Sequence, residues 1–379
     1  MIIGIDASRA NREQKTGVEW YTFHLIEEMK RMQNDDFKMQ NGESVRVVLY
    51  SPEPLKGQLA DLPENWESKV LRWPPGRLWT QLRLSWEMLM HPPDILFIPA
   101  HVFPLVHPKK TVMTIHDIAA AQFPAAYDWF ERWYSLWSAK QALKKLWKII
   151  TPSEFTKNEL IKTLKHKNIK TFVVPHGYDS RYRKIDDQAA IDNVLTRYHI
   201  KKPFILSVGR WEEKKNTTRI IQAFDQISLQ LTAYSLQLVL VGKPGHGYEK
   251  VKEAYEQSSH KDRILMPGYI DPADLVYIMN AAEVFIFPSL YEGFGLPVLE
   301  AMACGTPVVA GKGSSLEEIG GDACVYVDPL NEDDIARGIN KIMQNGELRM
   351  QNVNSGLTRV KNFSWEKCAR ETLSILLNL

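Results

Sequence analysis

The order of hydrophobic segments constrains the fold more than any other feature of the chain. Short runs rich in β-branched residues alternate with segments of helical periodicity, a pattern typical of parallel sheets covered by helices. In the first half the predicted strands are 2–6, 45–50, 94–99, 111–116, 148–151 and 171–175. In the second half they are 204–209, 236–242, 263–268, 284–289, 306–311 and 323–328. Two such series predict an α/β protein with two doubly wound, Rossmann-like domains.

The length of 379 residues is too large for one ordinary core and suits two domains. We predict a first domain over 1–180, a polar linker over 181–203 and a second domain over 204–362. The amphipathic tail, 363–379, is expected to form a helix that packs on either domain, including a return to the first. In sheets of this kind ligands bind beyond the carboxyl ends of the strands. Two domains facing each other would therefore line a cleft with both of these edges.

Composition excludes several classes of protein. A net charge of +2 is too close to zero for a general nucleic-acid binder. Three cysteines without paired spacing favour a reducing compartment over a disulfide framework or a zinc site. The first residues, MIIGIDASRA, resemble a strand more than a signal peptide, and no run of 18 apolar residues is present. We therefore expect a cytoplasmic protein.

Two strand ends of the first half carry candidate ligand-binding residues. Gly17 follows the first strand and a long loop, where it either lets a phosphate approach the backbone amides or serves the turn alone. The full GxGxxG pattern is absent, which counts against a nicotinamide site. His116 and Asp117 close the strand 111–116. This histidine is either a hydrogen-bonded loop residue or a ligand for a sugar or phosphate.

In the second half, the strand 204–209 is followed by Arg210 and Lys215. Basic residues between a strand and a helix N-terminus suit a diphosphate, because they donate charge-assisted hydrogen bonds. The alternative is a solvated charge cluster, since two glutamates lie between them. Asn216 is a plausible N-cap of the following helix.

The segment PSLYEGFGLPVLEAMACGTPVVA, at 288–310, places Glu292 and Glu300 around a glycine turn and a helix start. Pro297 suits the first helical position, which would put Glu300 in the first turn. Each carboxylate has a structural explanation, since acids are favoured at helix N-termini. The bare backbone beside Glu292 at the ligand edge favours a ligand.

Together these segments resemble the retaining, nucleotide-sugar-dependent glycosyltransferases of family 4, which have the two-domain GT-B fold. The resemblance covers nearly the whole chain. It depends on the two glutamates with seven residues between them, the GR…K segment, the IHD turn, the early glycine, and the motifs VPHGYD and FSWEKCA. The segments RLSWEMLMHPPDILFIPAHVFPL and TIHD are most similar to the bacterial branch named mannosyltransferases.

The resemblance assigns a role to each candidate. It implies that Arg210 and Lys215 bind the donor diphosphate, that Glu300 binds the ribose, and that Glu292 holds the donor sugar. The implied catalytic residues are Glu292, His116, Arg210 and Lys215. The implied substrate-binding residues are Gly17, Val18, Asp117, Ile270, Gly293, Phe294, Gly295, Leu296 and Glu300. The chain departs from the family at Glu19 and Trp20, which replace a small and often a basic residue beside the expected phosphate contact.

The resemblance also implies a reaction: transfer of a hexose from a nucleotide sugar to a glycan or lipid-linked acceptor, with retention by front-face attack. GDP-mannose is the expected donor. The sequence contains no Asp-x-Asp and no HExxH, so no metal or other cofactor is expected to be essential. A UDP-sugar-dependent transferase of the same fold and a non-catalytic nucleotide-sugar-binding protein are the alternatives.

Eight of the eleven tryptophans lie between Trp66 and Trp147. In the segment 129–150, Trp129, Trp133 and Trp137 are spaced at i, i+4 and i+8 and are followed by lysines. The segment is either a helix that buries its aromatic face against the sheet or a partner subunit, or a patch that contacts an anionic membrane. The second possibility predicts a peripheral location at the inner face of the membrane.

Overall fold

The computed structural model describes residues 1–13, 15–32, 44–73, 78–100, 102–165, 170–230 and 235–378, with only the backbone at 131, 229 and 230. These residues form two compact units. The first contains Met1–Gly177 and Ser364–Leu379, and the second contains Tyr178–Phe363. The prediction of an α/β chain with two parallel sheets is confirmed, because each unit has its own parallel sheet.

The first unit is built around a seven-stranded sheet. Its strands are β1 (Ile2–Asp6), β2 (Arg46–Ser51), β3 (Trp66–Val70), β4 (Ile95–Ile98), β5 (Thr111–Thr114), β6 (Lys148–Thr151) and β7 (Thr171–Val173), in the spatial order β3-β2-β1-β4-β5-β6-β7. Its helices are α1 (Gly17–Arg31), α2 (Ser85–Met90), α3 (Ala119–Gln122), α4 (Trp129–Lys145) and α5 (Glu154–Leu164), and a π-helical turn, Trp79–Leu84, leads into α2.

The second unit has six strands. They are β8 (Phe204–Val208), β9 (Gln237–Val241), β10 (Ile264–Gly268), β11 (Val284–Phe287), β12 (Val308–Gly311) and β13 (Cys324–Val327), in the order β10-β9-β8-β11-β12-β13. The helices are α6 (Gln188–Arg197), α7 (Thr217–Gln230), α8 (Tyr248–Gln257), α9 (Pro272–Ala281), α10 (Leu296–Ala303), α11 (Ser315–Gly320), α12 (Glu332–Gln344) and α13 (Gly346–Arg359). A last helix, α14 (Trp365–Leu377), belongs to the first unit.

The strand order fixes where a ligand can bind. In the second sheet the order reverses between β8 and β11, and in the first sheet between β1 and β4. Central strands such as β4 and β11 are buried along their whole length, as in sheets that carry helices on both faces. At such a reversal the loops that leave the two strands diverge and open a crevice beyond their carboxyl ends.

The strand β3 is absent from the prediction. It has the sequence WESKV, and its pattern alternates little, with Glu67, Ser68 and Val70 exposed. β3 is an edge strand that pairs only with β2, so it does not need the continuous apolar run by which the inner strands were recognised.

The residues predicted as a linker, 181–203, lie inside the second unit instead. They contain α6, whose Ile191, Val194 and Leu195 are buried in the main core of that unit. The short stretch before α6 has no helical periodicity in its sequence. A hydrogen bond attaches it to the second unit, since the Ile185 N–H donates to Asn280 Oδ1 at 2.8 Å. The chain leaves and re-enters the first unit at nearly one point. A Cβ on Gly177 would lie 2.1 Å from the Trp365 nitrogen, so only glycine fits there.

Among the described residues, no helix is long and apolar enough to cross a membrane.

Candidate functional site

The candidate site of the second unit lies where its strand order reverses. The loop after β8, residues 209–216, and the loop after β11, residues 288–295, leave neighbouring strands at the same edge. They are joined by a hydrogen bond from the Leu290 N–H to the Lys214 carbonyl oxygen, at 2.9 Å. The two segments that sequence analysis selected independently are therefore parts of one structure.

Lys215 and Glu292 form an ion pair across these loops. The Lys215 Nζ lies 2.5 Å from Glu292 Oε1, and both side chains are largely buried. The same ammonium lies 4.9 Å from the centroid of the Phe287 ring, on the last residue of β11. A lysine held by one carboxylate and one aromatic face is fixed in direction at the edge where an anion would bind.

Asn216 joins the β8 loop to two other segments. Its Nδ2 donates to the Pro288 carbonyl at 3.0 Å and to the Pro329 carbonyl at 2.5 Å, while its Oδ1 accepts from Arg219 Nη1. Asn216 directly precedes α7, as predicted. Its side chain is used for these three hydrogen bonds, and its backbone has a left-handed φ of 62°. The residue thus anchors the loop that carries Lys215.

The glycine turn between β11 and α10 depends on close packing. Gly295 has a φ of 109°, and a Cβ there would lie 2.5 Å from Leu316 Cδ2. Ser315 Oγ is 2.9 Å from both the Glu292 and Phe294 carbonyl oxygens, so one buried hydroxyl holds the turn that passes through Gly293. Ser315 was not identified from the sequence. The sequence around Ser315, SSLEE after β12, looks like an ordinary helix start. The role of Ser315 depends instead on a contact between segments that are distant in the sequence.

Glu300 lies in the second turn of α10, and the prediction of a first-turn position is wrong. The helix begins at Leu296, one residue earlier than expected, because Gly295 is the N-cap; Pro297 is thus the second helical residue. Burial raises the pKa of the Glu300 carboxyl to about 8, Asp179 adds to the rise, and Arg181 opposes it. This acid is therefore mostly protonated at neutral pH, unlike the first-turn carboxylate that was expected.

The charges beside Glu300 come from the segment that starts the second unit. Arg181 Nε lies 2.9 Å from Asp179 Oδ2, and the Arg181 N–H donates to Asp179 Oδ1 at 2.9 Å. Tyr182 is buried in the same core as the α10 residues Val298 and Ala301. Asp179, the last residue of the motif HGYD, and Arg181, two residues later, thus supply the charges that act on Glu300.

The remaining candidates of the second unit differ in exposure. Arg210 is exposed at the start of the β8 loop. Ile270 follows β10, the second neighbour of β8, and only 2% of its surface is exposed, so its side chain belongs to the core. Its neighbour Tyr269 is exposed, with Lys243 Nζ 5.0 Å from the ring centroid. Phe294 is buried against Phe363, and Leu296 is half-buried.

In the first unit, α1 starts beyond β1 with Gly17 and Val18 as its first two residues. Open space surrounds the position of a Gly17 Cβ. Glu19 turns back onto the helix start: its Oε2 accepts from the Thr16 N–H at 3.1 Å and from the Thr16 hydroxyl. Arg9 Nη1 and Arg12 Nη1 lie 3.5 and 3.6 Å from Glu19 Oε1. The residue that departs from the family pattern thus forms a capping box.

These contacts lower the pKa of Glu19. Burial pushes this pKa upward, but the hydrogen bonds from Thr16 and the charges of Arg9 and Arg12 lower it overall. Glu19 is therefore a carboxylate at neutral pH, and it neutralises part of the positive charge beside the helix N-terminus.

His116 lies just beyond β5 and is buried. Its Nε2 is 3.0 Å from the Pro99 carbonyl oxygen, so this nitrogen carries a proton, and its ring packs against Tyr21 with centroids 4.6 Å apart. His176, 5.3 Å away between centroids, has its pKa well below the usual value because of burial and the nearby His116. Asp117 Oδ1 accepts from the Ala119 N–H at 3.0 Å and so helps to start α3.

The aromatic helix α4 does not bury its tryptophans against the sheet. Trp129 is 80% exposed, and Phe130 and Trp133 are also exposed, while Ala142 and Leu143 face the core. Of the alternatives, packing of the aromatic face on the sheet is therefore wrong for Trp129 and Trp133, while Trp137 is half-buried. A partner subunit and a membrane remain as explanations.

Comparison with known proteins identifies the family. The fold defines a class of α/β protein with two domains, each built around its own Rossmann-like parallel sheet. The model for "Glycosyltransferase Family 4" matches residues 16–182, and the model for "Glycosyl transferases group 1" matches residues 196–358. The chain is 31% identical over 267 residues to the O-antigen chain mannosyltransferase B of Escherichia coli, covering 70% of each chain. The protein belongs to the family 4 glycosyltransferases.

Solved structures support the fold. Sucrose-phosphate synthase from Thermosynechococcus elongatus superposes with a TM-score of 0.75 at 19% identity, covering 99% of this chain and 98% of that one. HepE from Anabaena in complex with UDP-glucose gives a TM-score of 0.73 at 17% identity, covering 100% and 99%. These neighbours establish the GT-B fold. At such identity they do not transfer a substrate.

Within the described part of the chain, no group of three or more His, Cys, Asp or Glu side chains is arranged to hold a metal ion.

Proposed function

We propose that this glycosyltransferase moves a hexose, mannose from GDP-mannose in the first instance, to a hydroxyl group of a glycan or lipid-linked saccharide, as in polysaccharide biosynthesis. The observation that carries the proposal is the Lys215–Glu292 ion pair beside the glycine turn, at the strand edge where ligands bind. The similarity to an O-antigen chain mannosyltransferase supports mannose as the sugar and a glycan as the acceptor.

The arrangement suits the departure of a nucleoside diphosphate. When the bond between the sugar and the diphosphate breaks, negative charge accumulates on the leaving oxygen. Lys215, Arg210 and the backbone N–H groups of the turn at 293–296 are the donors that would stabilise it. Removal of one such donor typically costs roughly 10²–10³ in rate. In this scheme no metal ion is required, and Glu292 accepts hydrogen bonds from the sugar hydroxyls.

The stereochemistry belongs to the same proposal. Retention by front-face attack would use the donor phosphate to take the acceptor proton, so the protein needs no carboxylate next to the scissile bond. Glu300 would then bind the ribose. In the first unit, the Gly17 and Val18 amides would bind phosphate, His116 would contact the donor sugar, and Asp117 would be a further substrate-binding residue. A cytoplasmic protein with access to the membrane face fits a lipid-linked acceptor.

Two other functions have specific support. A UDP-sugar donor fits because HepE, a protein of the same fold, was solved with UDP-glucose. A non-catalytic nucleotide-sugar-binding protein fits because Glu19 and Trp20 replace the usual residues at the α1 start. The buried Lys215–Glu292 pair favours an enzyme, because it places a cation and a carboxylate together at the edge where the donor diphosphate and sugar would bind.

The first experiment is a thermal-shift screen of GDP, UDP, GDP-mannose and UDP-sugars. A ligand present at about 100 times its Kd stabilises a protein by roughly 2.7 kcal/mol. We expect GDP-mannose to give the largest shift. If no GDP or UDP compound raises the melting temperature, the donor site has been placed wrongly.

The second experiment separates an enzyme from a binding protein. Wild-type protein should release GDP from GDP-mannose in the presence of an acceptor saccharide, and Arg210→Ala should lose about 10²-fold or more of this activity. Arg210 is exposed, so the variant should keep its fold. The matched control is Arg337→Ala, an exposed arginine paired with Asp334 on α12. Equal activity in both variants would remove Arg210 from the site, and no turnover in wild type with intact binding would support the non-catalytic alternative.

A further inference from the structure

The exposed apolar side chains of the described residues are concentrated in one region of the first unit. Of the fifteen large apolar side chains that are exposed, ten lie between Leu78 and Trp133. They come from three segments: 78–90, which includes the π-helical turn and α2, the loop at 105–106, and 129–133 at the start of α4. Soluble domains seldom gather such residues without a partner. We call these exposed side chains the apolar surface.

Hydrogen bonds and ring contacts hold the three segments together. Ser85 Oγ on α2 accepts from the Leu105 N–H at 2.8 Å and from the Val106 N–H at 3.3 Å. Gln81 Nε2 donates to the hydroxyl of Tyr134 on α4, whose ring stacks on Phe130 with centroids 5.8 Å apart. These contacts hold the three segments that carry the apolar surface next to one another.

Exposed basic residues follow two of the three segments that form this surface. On α4, Trp129 and Trp133 lie on the same helical stripe as Lys140 and Lys144, at i, i+4, i+11 and i+15, and both lysines are exposed. Lys109 and Lys110 are exposed just beyond the 105–106 loop. The helix α4 carries four basic residues and one acid.

The acid within α2 does not offset this charge. Glu87 is buried, and it is paired with Lys69 and with Arg83, whose Nη1 lies 3.1 Å from Glu87 Oε2. The negative charge of α2 is thus already neutralised inside the unit. The exposed side chains of these segments are thus apolar and aromatic, and the exposed charges that follow them on α4 and after the 105–106 loop are lysines.

The geometry points to an anionic lipid bilayer as the occupant of the apolar surface. Tryptophan prefers the boundary between headgroups and acyl chains, and the lysine stems reach past it so that their ammonium groups meet lipid phosphates. A second copy of the chain fits less well. A two-fold contact between copies would bring these exposed lysines of both copies close to one another, where like charges repel. The assignment goes beyond the transfer reaction, and lipid binding is measurable with no nucleotide present.

The test is cosedimentation of the full chain with phosphatidylcholine vesicles and with vesicles that also contain phosphatidylglycerol. We expect binding only to the anionic vesicles, weakened by salt. Trp86→Ser with Leu89→Ser removes apolar contacts from α2, and Lys140→Glu with Lys144→Glu reverses the charge of two of the exposed lysines. Each pair should weaken binding at least about tenfold. Leu330→Ser with Met350→Ser changes two equally exposed residues of the second unit and should leave binding unchanged.

Three results would overturn the assignment. One is the absence of wild-type protein from both vesicle pellets. Another is equal loss of binding in the control pair. The third is a stable dimer in light scattering that Trp86→Ser with Leu89→Ser converts to monomer, because the apolar surface would then be a contact between copies. Unchanged circular dichroism and melting temperature in both test variants would exclude misfolding as the cause of weakened binding.

Discussion

Lys215 and Glu292 are 77 residues apart in the chain and bring their charged atoms to within 2.5 Å at the ligand edge of the second sheet. In the absence of a donor each is the counterion of the other. A diphosphate that binds at Lys215 competes with Glu292 for the ammonium, which would free the carboxylate to accept hydrogen bonds from the sugar. Under the proposed function the pair would therefore couple the binding of the donor diphosphate to the binding of the donor sugar.

The variant Glu292→Gln tests this coupling. It removes a negative charge that competes with phosphate, so GDP or UDP should bind as tightly as before or more tightly. Without ligand the variant should lose about 1–3 kcal/mol of stability, because Lys215 keeps a poorer partner. Sugar transfer should fall by roughly 10-fold to 100-fold, the value of a hydrogen bond to a charged group.

Calorimetry with nucleoside diphosphates and urea unfolding measure these effects. The matched control is Glu283→Gln, which breaks the more exposed pair with Arg349 in the same unit and should cost at most about 1 kcal/mol. Weaker binding of nucleoside diphosphate by Glu292→Gln than by wild type would argue against competition at Lys215.

Glu300 predicts how stability depends on pH. Its folded-state pKa of about 8 exceeds the ordinary 4.5, so the folded protein holds this proton more tightly than the unfolded chain. The associated stability is complete below about pH 4.5 and is lost as the pH rises to about 8, at up to roughly 1.4 kcal/mol per pH unit. Glu300→Gln cannot ionise, so it should be more stable than wild type at pH 8 and nearly equal at pH 4.5.

Urea unfolding at several pH values provides the comparison. Asp179→Asn should lose less stability than wild type between pH 4.5 and 8, because the charge of Asp179 contributes to the raised pKa while burial remains. Parallel pH profiles for wild type and Glu300→Gln would contradict the assignment.

Gly295→Ala should damage the turn that shapes the site. The new methyl would lie 2.5 Å from Leu316 Cδ2 at a φ that side chains rarely adopt, so we expect a loss of about 2–4 kcal/mol and of nucleotide binding. Gly313→Ala is the control, since Gly313 also has a positive φ but open space around it, and it should cost about 1 kcal/mol. Similar melting temperatures for the two variants would show that Leu316 moves aside freely.

Much of the fold was visible in the sequence because inner parallel strands are apolar along their whole length. The strands β4, β5, β11 and β12 are of this kind, and their predicted positions agree with the structure within a few residues. The edge strand β3 was missed, since only Trp66 of its five residues is buried. The helix α6 was missed because the residues before it lack periodicity, although its own apolar positions follow the helical repeat.

The site was predictable where a residue's position along a strand determines its role. Arg210, Lys215 and Glu292 were selected because they follow strands, and strand ends converge at one edge. The predicted start of α10 was wrong by one residue, so Glu300 lies in the second turn and not in the first. Its surroundings and its protonation therefore differ from the prediction. Ser315 could not be found, because its value depends on two carbonyl groups that only the folded loop brings together. The capping box at Thr16 was visible as Thr-x-x-Glu and was overlooked.

That capping box gives the last prediction, at the residue where the chain departs from its family. The lowered pKa of Glu19 means that its contribution to stability is present at neutral pH and is lost as the pH falls through that pKa. Glu19→Gln should therefore cost about 1–2 kcal/mol at pH 7, and the difference from wild type should shrink in acid. Glu28→Gln, which breaks the exposed pair with Arg31 on the same helix, should cost less than about 0.5 kcal/mol at either pH. Urea unfolding at pH 7 and at acid pH measures this difference. If Glu19→Gln lowers the free energy of unfolding equally at both pH values, packing and not the carboxylate charge holds the start of α1.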